Sequence, residues 1–123
     1  MIVKQVSVFV ENTVGRLADL TKILTDNNID LKASTIAETV DFCILRCIVE
    51  DPEKTVKILV ENGFSASISE VTGVSLEDKP GGLHKVLAVL AEAGIAVNYI
   101  YSTIKSAEGK AIIMLKTSDA AKA

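Results

Sequence analysis

Two short segments of the sequence have the composition of a turn that can bind a small ligand. The first reads Asn12-Thr13-Val14-Gly15-Arg16-Leu17, and the second reads Asp78-Lys79-Pro80-Gly81-Gly82-Leu83. Each follows an alternating apolar stretch and precedes apolar residues at helical spacing, which predicts a strand-to-helix turn. Glycine allows a close approach of the backbone, and the unpaired N–H groups that open a helix attract a carboxylate. Both turns are therefore candidate sites for a small carboxylate.

A zwitterionic ligand also needs an acceptor for its ammonium group, and Asn12, Asp78 or Asp30 could provide one. On the residues alone, a second interpretation stays open. Asn12 and Asp78 would then only cap helices or form turns, and the glycines would only form tight turns.

Other reactive side chains offer little for catalysis. Arg16 could hold a carboxylate through two hydrogen bonds, but its place beside a helix N-terminus predicts a solvated side chain. His84 is expected to be exposed and has no nucleophile pattern near it. Cys43 and Cys47 share one face of a predicted strand, about 13 Å apart at ~3.3 Å per residue, too far for a disulfide. We predict free thiols, no catalytic residues, no metal and no cofactor.

The two turns belong to an internal repeat. Val6–Leu17 aligns with Thr72–Leu83 at a constant offset. The match continues through Leu20/Val86, Ile23/Val89, Leu24/Leu90, Ile29/Ile95 and Leu31/Val97 and, after a short insertion, through Ile44/Ile112. We therefore predict two units, residues 1–70 and an incomplete unit at residues 71–123.

Hydrophobic periodicity in each copy predicts its strands and helices. The predicted strands of the first copy are Ile2–Val10, Leu31–Ala37, Phe42–Val49 and Phe64–Ser69, the last running into the next copy. Its helices are predicted from Gly15 to about Asn27 and from Asp51-Pro52 to Asn62-Gly63, and Asn28 and Gly94 end equivalent helices. The order βαββαβ followed by βαββ and a helix start predicts an α+β, ferredoxin-like fold with antiparallel sheets and helices on one face.

Composition excludes several classes of partner. The chain has 123 residues, 4% aromatic residues, no Trp and a net charge of −3. It therefore lacks the basic field and the stacking rings that nucleic-acid binding requires. No apolar run approaches the roughly 20 residues of a spanning helix, and Met1–Gln5 does not resemble a signal peptide. We expect a cytoplasmic protein with neither membrane nor nucleic acid as a partner.

The turn pattern, Asp or Asn, any residue, Pro, Gly, any residue and Leu after a short strand in a βαββαβ unit, resembles the ACT domain. This family is a small-molecule sensing module of amino-acid metabolism, and the resemblance covers nearly the whole chain as a tandem pair. It implies a non-catalytic, allosteric regulator that binds an amino acid where two units meet through their second strands. Each pocket would join one unit's turn to the start of another unit's second strand. The implied binding residues are Asn12, Thr13, Val14, Gly15, Arg16, Leu17, Asp30, Leu31, Asp78, Lys79, Pro80, Gly81, Gly82, Leu83 and Ala96.

Two rival functions remain. One is a structural or protein-interaction tandem module without a ligand. The other is an acylphosphatase-like hydrolase, which uses the same fold with an Arg and an Asn, matched here only by Arg16 and Asn12.

The second copy also carries an expectation about assembly. Its helix start at Asp119–Lys122 is followed by the last residue, so we expect the apolar face of Ile112, Met114 and Val74 to be partly uncovered. Such a patch is normally buried by another surface. We therefore predict a homodimer, with a regulated enzyme as a possible further partner. The alternative is that a natural tail after Ala123 supplies the missing helix and strand.

Overall fold

The computed structural model describes residues 1–38, 41–77, 79–103 and 110–118. Within these ranges the chain forms six strands and three helices. In chain order they are β1 (Ile2–Glu11), α1 (Arg16–Asp26), β2 (Ala33–Glu38), β3 (Phe42–Ile48), α2 (Pro52–Glu61), β4 (Ser65–Glu77), α3 (Gly82–Glu92), β5 (Val97–Ser102) and β6 (Lys110–Thr117). The predicted order is confirmed, and the two strands predicted to run together are the single strand β4. The helix start predicted at Asp119–Lys122 lies outside the described residues.

The ends of the elements follow local chemistry. The side chain of Asp51 accepts a hydrogen bond from the Lys54 backbone N–H at 3.1 Å, and Pro52 opens α2, as the sequence predicts. Asn28 is left-handed with φ of 57°, which confirms it as the residue that turns the chain out of α1. The predicted start of β2 at Leu31 is wrong, because Leu31 packs its side chain against the core without joining the strand. The apolar side chain of Leu31 therefore indicates burial and does not indicate strand pairing.

The chain divides into two compact units, which we describe separately. The first unit comprises residues 4–69, and the second comprises residues 1–3 and 70–123. The division falls within β4, the strand in which the sequence passes from the first copy of the repeat to the second.

The first unit has the βαββαβ order of a ferredoxin-like fold, with β3 between β1 and β2 in antiparallel pairs. Val6 and Val8 of β1 face the two helices. They form one buried cluster with Leu20 of α1 and Leu59 of α2. Alternate residues of one sheet face and one stripe of each helix therefore supply a common aliphatic core. Cys43 and Cys47 lie on this same face of β3 and are free thiols, as predicted.

The second unit pairs β6 with β4 and with β5, both antiparallel, and packs α3 against them. Its core contains Ile113 and Leu115 of β6 with Leu90 of α3. The expectation that Ile112, Met114 and Val74 share one partly uncovered apolar face is wrong by one residue, because Val74 pairs with Ile113. Met114 is buried on the other face, where its Sδ lies close to Gly73. Since strand side chains alternate, a shift of one residue exchanges the two faces.

In the described part of the chain, every helix is too short or too polar to cross a membrane.

Candidate functional site

The two strand-to-helix turns have the same backbone hydrogen bonds. In the first, Thr13 N–H donates to the Glu11 carbonyl at 2.8 Å, and Arg16 N–H donates to the Thr13 carbonyl at 3.3 Å. In the second, Lys79 N–H donates to the Glu77 carbonyl at 2.9 Å, and Gly82 N–H donates to the Lys79 carbonyl at 3.0 Å. The donors and acceptors occupy equivalent positions of the repeat. The duplicated sequence therefore builds one turn twice.

Each turn ends in a left-handed glycine that caps the following helix. Gly15 has φ of 85° and precedes α1, and Gly81 has φ of 90° and precedes α3. Among the described residues, no side chain caps either helix. The interpretation of Asn12 as an N-cap is therefore wrong, since Gly15 holds that position, whereas its interpretation as a turn former stays open. Asp78 lies outside the described residues. The N–H groups of the second and third residues of each helix thus have no side-chain oxygen as an acceptor from the cap, which leaves them suited to an anion.

A cavity of about 360 Å³ and a smaller one of about 250 Å³ lie in the second unit, and the smaller one adjoins the turn. We call the smaller one the turn cavity. Its charged lining consists of Glu77, Lys79, Lys85 and Lys110, and Gly82 and Leu76 also contribute. Among the described residues, three ammonium groups against one carboxylate give this cavity a positive field. Such a field favours a negatively charged group of a ligand.

Glu77 is the one acidic side chain described in the turn cavity, and it is held ionised. Lys79 Nζ lies 2.5 Å from its Oε2, and this hydrogen bond is the main reason that the pKa of Glu77 is lowered. Burial opposes the shift, whereas the charges of Lys110 and Lys85 reinforce it. An ionised Glu77 can accept a hydrogen bond from an ammonium group. The turn cavity thus presents positive groups and one negative group to the same small volume.

Gly82 fixes the shape of the turn cavity. It is buried, and a Cβ atom at this position would lie 2.2 Å from the carbonyl oxygen of Glu77. Only glycine allows the start of α3 to approach the end of β4 so closely. The equivalent residue of the first unit is Arg16, so the two turns share their hydrogen bonds but not this close approach.

The first unit has a smaller cavity of about 150 Å³ at the equivalent place, lined by Phe9, Glu11, Arg16, Phe42, Gly63, Phe64 and Ser65. The Arg16 guanidinium lies over the ring of Phe64, with Cζ 4.0 Å from the ring centroid. The prediction of a solvated Arg16 is therefore wrong, because the buried aromatic ring attracts the cation. Arg16 and Glu11 give this cavity one positive and one negative group.

The remaining predicted residues lie in several places. Asp30 lines a different cavity, together with Lys32 and Lys54. The Ala96 N–H donates to Ser118 Oγ, and the Ala96 carbonyl accepts from the Ser118 N–H. Most of the predicted residues in the two turns and at the start of their helices are exposed: Asn12, Thr13, Val14, Leu17, Lys79, Pro80 and Leu83. Leu31 is partly buried. His84 is exposed, as predicted.

Sequence reasoning missed the acidic residue before each turn and two of the lysines around the second, Lys85 and Lys110. Glu11 and Glu77 occupy the same position of the repeat, and each lines the cavity of its own unit. Their repetition in the aligned copies was a signal that could have identified them. Lys85 and Lys110 gave no such signal, because β6 brings Lys110 to the turn only in the folded unit.

Comparison with known proteins agrees with this architecture. The ACT domain pair family matches residues 1–123. Protein BT0572 from Bacteroides thetaiotaomicron is 42% identical, with a TM-score of 0.91 over 99% of this chain and 83% of that one. The fold is similar to the regulatory subunit of aspartate kinase from Thermus thermophilus, at 14% identity and a TM-score of 0.69 over 91% of this chain and 81% of that one. It is also similar to aspartokinase alpha and beta subunits, at 22% identity and a TM-score of 0.60 over 93% and 85% of the two chains.

No curated protein matches the chain. Its family is nevertheless shown by the match over its whole length and by the relative of 42% identity. The duplicated turn, the ferredoxin-like first unit and these matches together mean that this chain belongs to the ACT domain pair family, a family of regulatory, generally non-catalytic domains.

Proposed function

We propose that this chain is a non-catalytic regulatory protein that binds an amino acid in the turn cavity of the second unit. The observation that carries the proposal is the grouping of Lys79, Lys85 and Lys110 around an uncapped helix start. The α-carboxylate of the ligand lies against these lysines and the first N–H groups of α3. Its ammonium group faces the Glu77 carboxylate.

The charge of the turn cavity narrows the class of ligand. With three lysines and one glutamate in the lining, a ligand with a net negative charge gains more than a neutral zwitterion. The cavity of about 250 Å³ also suits a small molecule. We therefore propose amino acids with a short side chain as the class, and acidic ones as its tightest members.

The first unit contributes less to binding in this proposal. Its equivalent cavity is smaller, and Arg16 is already engaged with Phe64. A carboxylate there would compete with the aromatic ring for the guanidinium. We propose that this turn is mainly structural.

Regulation in this proposal operates through association of two copies in the cytoplasm. The second strand of a second copy closes the turn cavity, so that Asp30 or Ala96 at the start of such a strand approaches the ligand. A ligand that contacts both copies stabilises only the associated state, which couples its concentration to assembly. The homodimer and the regulated enzyme are parts of the proposal.

A thermal-shift screen against the twenty amino acids tests the proposal. A true ligand at a hundredfold excess over its dissociation constant should stabilise the fold by about 2.7 kcal/mol. Replacement of Lys110 by Met should lower the affinity in titration calorimetry about fivefold, the effect of one partly exposed charge. The matched control is Lys57→Met, since Lys57 is exposed on α2 and lines no part of the turn cavity. If no amino acid raises the melting temperature at millimolar concentration, the ligand-free structural module is the better interpretation.

A further inference from the structure

All the phenylalanines of the chain line the cavity of the first unit, which we call the phenyl cavity. The chain has three of them. Phe9 lies on β1, Phe42 begins β3, and Phe64 directly precedes β4. Three segments that are far apart in sequence thus bring their phenyl rings to one cavity of about 150 Å³. In a chain with 4% aromatic residues, this convergence indicates a common role for the three rings.

The strand register brings two of these rings to the same place on the sheet. Phe42 lies directly opposite Glu11 across β1 and β3, and Phe9 precedes Glu11 by two residues on the same face of β1. Phe9 and Phe42 are therefore diagonal neighbours, a spacing that aromatic side chains can span. They are 51% and 48% exposed, whereas Phe64 is 5% exposed. Two half-exposed rings thus retain apolar surface that a ligand can bury.

The internal repeat shows that the fold of a unit does not require these two rings. The turn cavity is the equivalent cavity of the second unit, and there Ser75 and Lys110 occupy the positions of Phe9 and Phe42. In each unit the residue at the second of these positions lies opposite the glutamate that precedes the turn. The two cavities therefore share their place in the unit but differ in the chemistry of their lining.

The size of the phenyl cavity limits its ligand to about one ring. A cavity of about 150 Å³ lined by apolar side chains is large enough for a benzene-sized group. Phenyl side chains also favour a further aromatic ring, which they contact edge to face or in an offset stack. A single aromatic ring therefore matches both the volume and the lining.

The charges of the phenyl cavity favour a ligand without net charge. Among the described residues, its charged side chains are Glu11 and Arg16, one negative and one positive. An anionic or a cationic ligand meets a like charge as well as an opposite one and also loses hydration. The turn cavity of the second unit has the contrasting lining of three lysines and one glutamate.

We propose that the phenyl cavity is a second small-molecule site, which binds a single aromatic ring of zero net charge. The ring contacts Phe9 and Phe42, while the Arg16 guanidinium keeps its place over Phe64. The first turn keeps the structural role given above, because the phenyl rings bind the ligand and the N–H groups of the turn do not. The proposal does not depend on the amino acid proposed for the second unit.

Three ligands with the same ring and different charges test the proposal with the full chain. Benzyl alcohol is neutral, phenylacetate is negative and benzylammonium is positive. Titrations followed by ¹⁵N spectra measure affinity, and the ring current of the ligand locates the contact. We expect saturable binding of benzyl alcohol, with the largest shifts at Phe9, Phe42 and Phe64. Both charged ligands should bind about threefold more weakly.

Variants that carry the residues of the second unit separate ring binding from general adsorption. Phe9→Ser and Phe42→Lys should each weaken benzyl alcohol at least about tenfold, because each removes a ring that contacts the ligand. The matched control is Ile36→Ser, since Ile36 is 43% exposed on β2 and lines no part of the phenyl cavity. Glu11→Gln should favour phenylacetate over benzylammonium about threefold. Circular dichroism checks that each variant keeps its fold.

Several results would overturn the proposal. These include titrations that do not saturate, shifts outside the phenyl cavity, and equal affinity of the Phe9→Ser and Ile36→Ser chains for benzyl alcohol. L-Phenylalanine carries the same ring on an amino-acid head group. If it binds more than about tenfold tighter than benzyl alcohol, the head group supplies the affinity and the cavity is an amino-acid site instead. A dimer that dissociates on Phe9→Ser without any ligand assigns the rings to a contact between two copies.

Discussion

Replacement of Gly82 by Ala should lower the stability of the second unit more than the addition of a methyl group elsewhere in the second strand-to-helix turn. The new Cβ would lie 2.2 Å from the Glu77 carbonyl oxygen, and real Cβ contacts essentially never fall below 3.0 Å. The end of β4 and the start of α3 must then separate by about 0.8 Å, against a packed core. Overpacking of this kind costs about 1–3 kcal/mol, and backbone atoms cannot move aside as a flexible side chain can.

Gly81→Ala is the matched comparison, because the two glycines are adjacent and the change is the same. No atom lies within 4 Å of a Cβ at Gly81, but its φ of 90° disfavours any L side chain. The expected cost is about 1 kcal/mol from backbone strain alone. Urea unfolding followed by circular dichroism measures both changes. If Gly82→Ala is no more destabilising than Gly81→Ala, the close approach of α3 to Glu77 is wrong.

Three further changes test the local chemistry. Asp51→Ala should cost about 1 kcal/mol in urea unfolding because the Lys54 N–H loses its cap, whereas Asp51→Asn should cost little. Burial raises the pKa of the Cys47 thiol to about 12, so iodoacetamide at pH 8 should modify Cys47 only after unfolding, as mass spectrometry would show. Thr72→Val removes a buried hydroxyl that has no hydrogen-bond partner among the described residues, and it should stabilise the chain by about 1 kcal/mol; a loss of stability would mean that Oγ1 is satisfied.

Much of the fold could be predicted because the same pattern of residues occurs in both copies of the repeat. The signals are local: apolar residues alternate around Val6 and Val74, apolar residues recur at helical spacing after each turn, and Asn28 and Gly94 end helices. The structure has the corresponding strands and helices. The error of one residue in the face of β6 has a different cause. Ile112, Ile113, Met114 and Leu115 are all apolar, so no alternation shows which residues face α3.

The site was less predictable, because its charged residues meet only through the fold. Lys110 begins β6, which follows the turn by many residues and reaches it through antiparallel pairing with β4. Arg16 was predicted to be solvated from its helix position alone, whereas Phe64, which holds it, belongs to another part of the chain. Local patterns identified the turns, but the partners across the sheet depend on register.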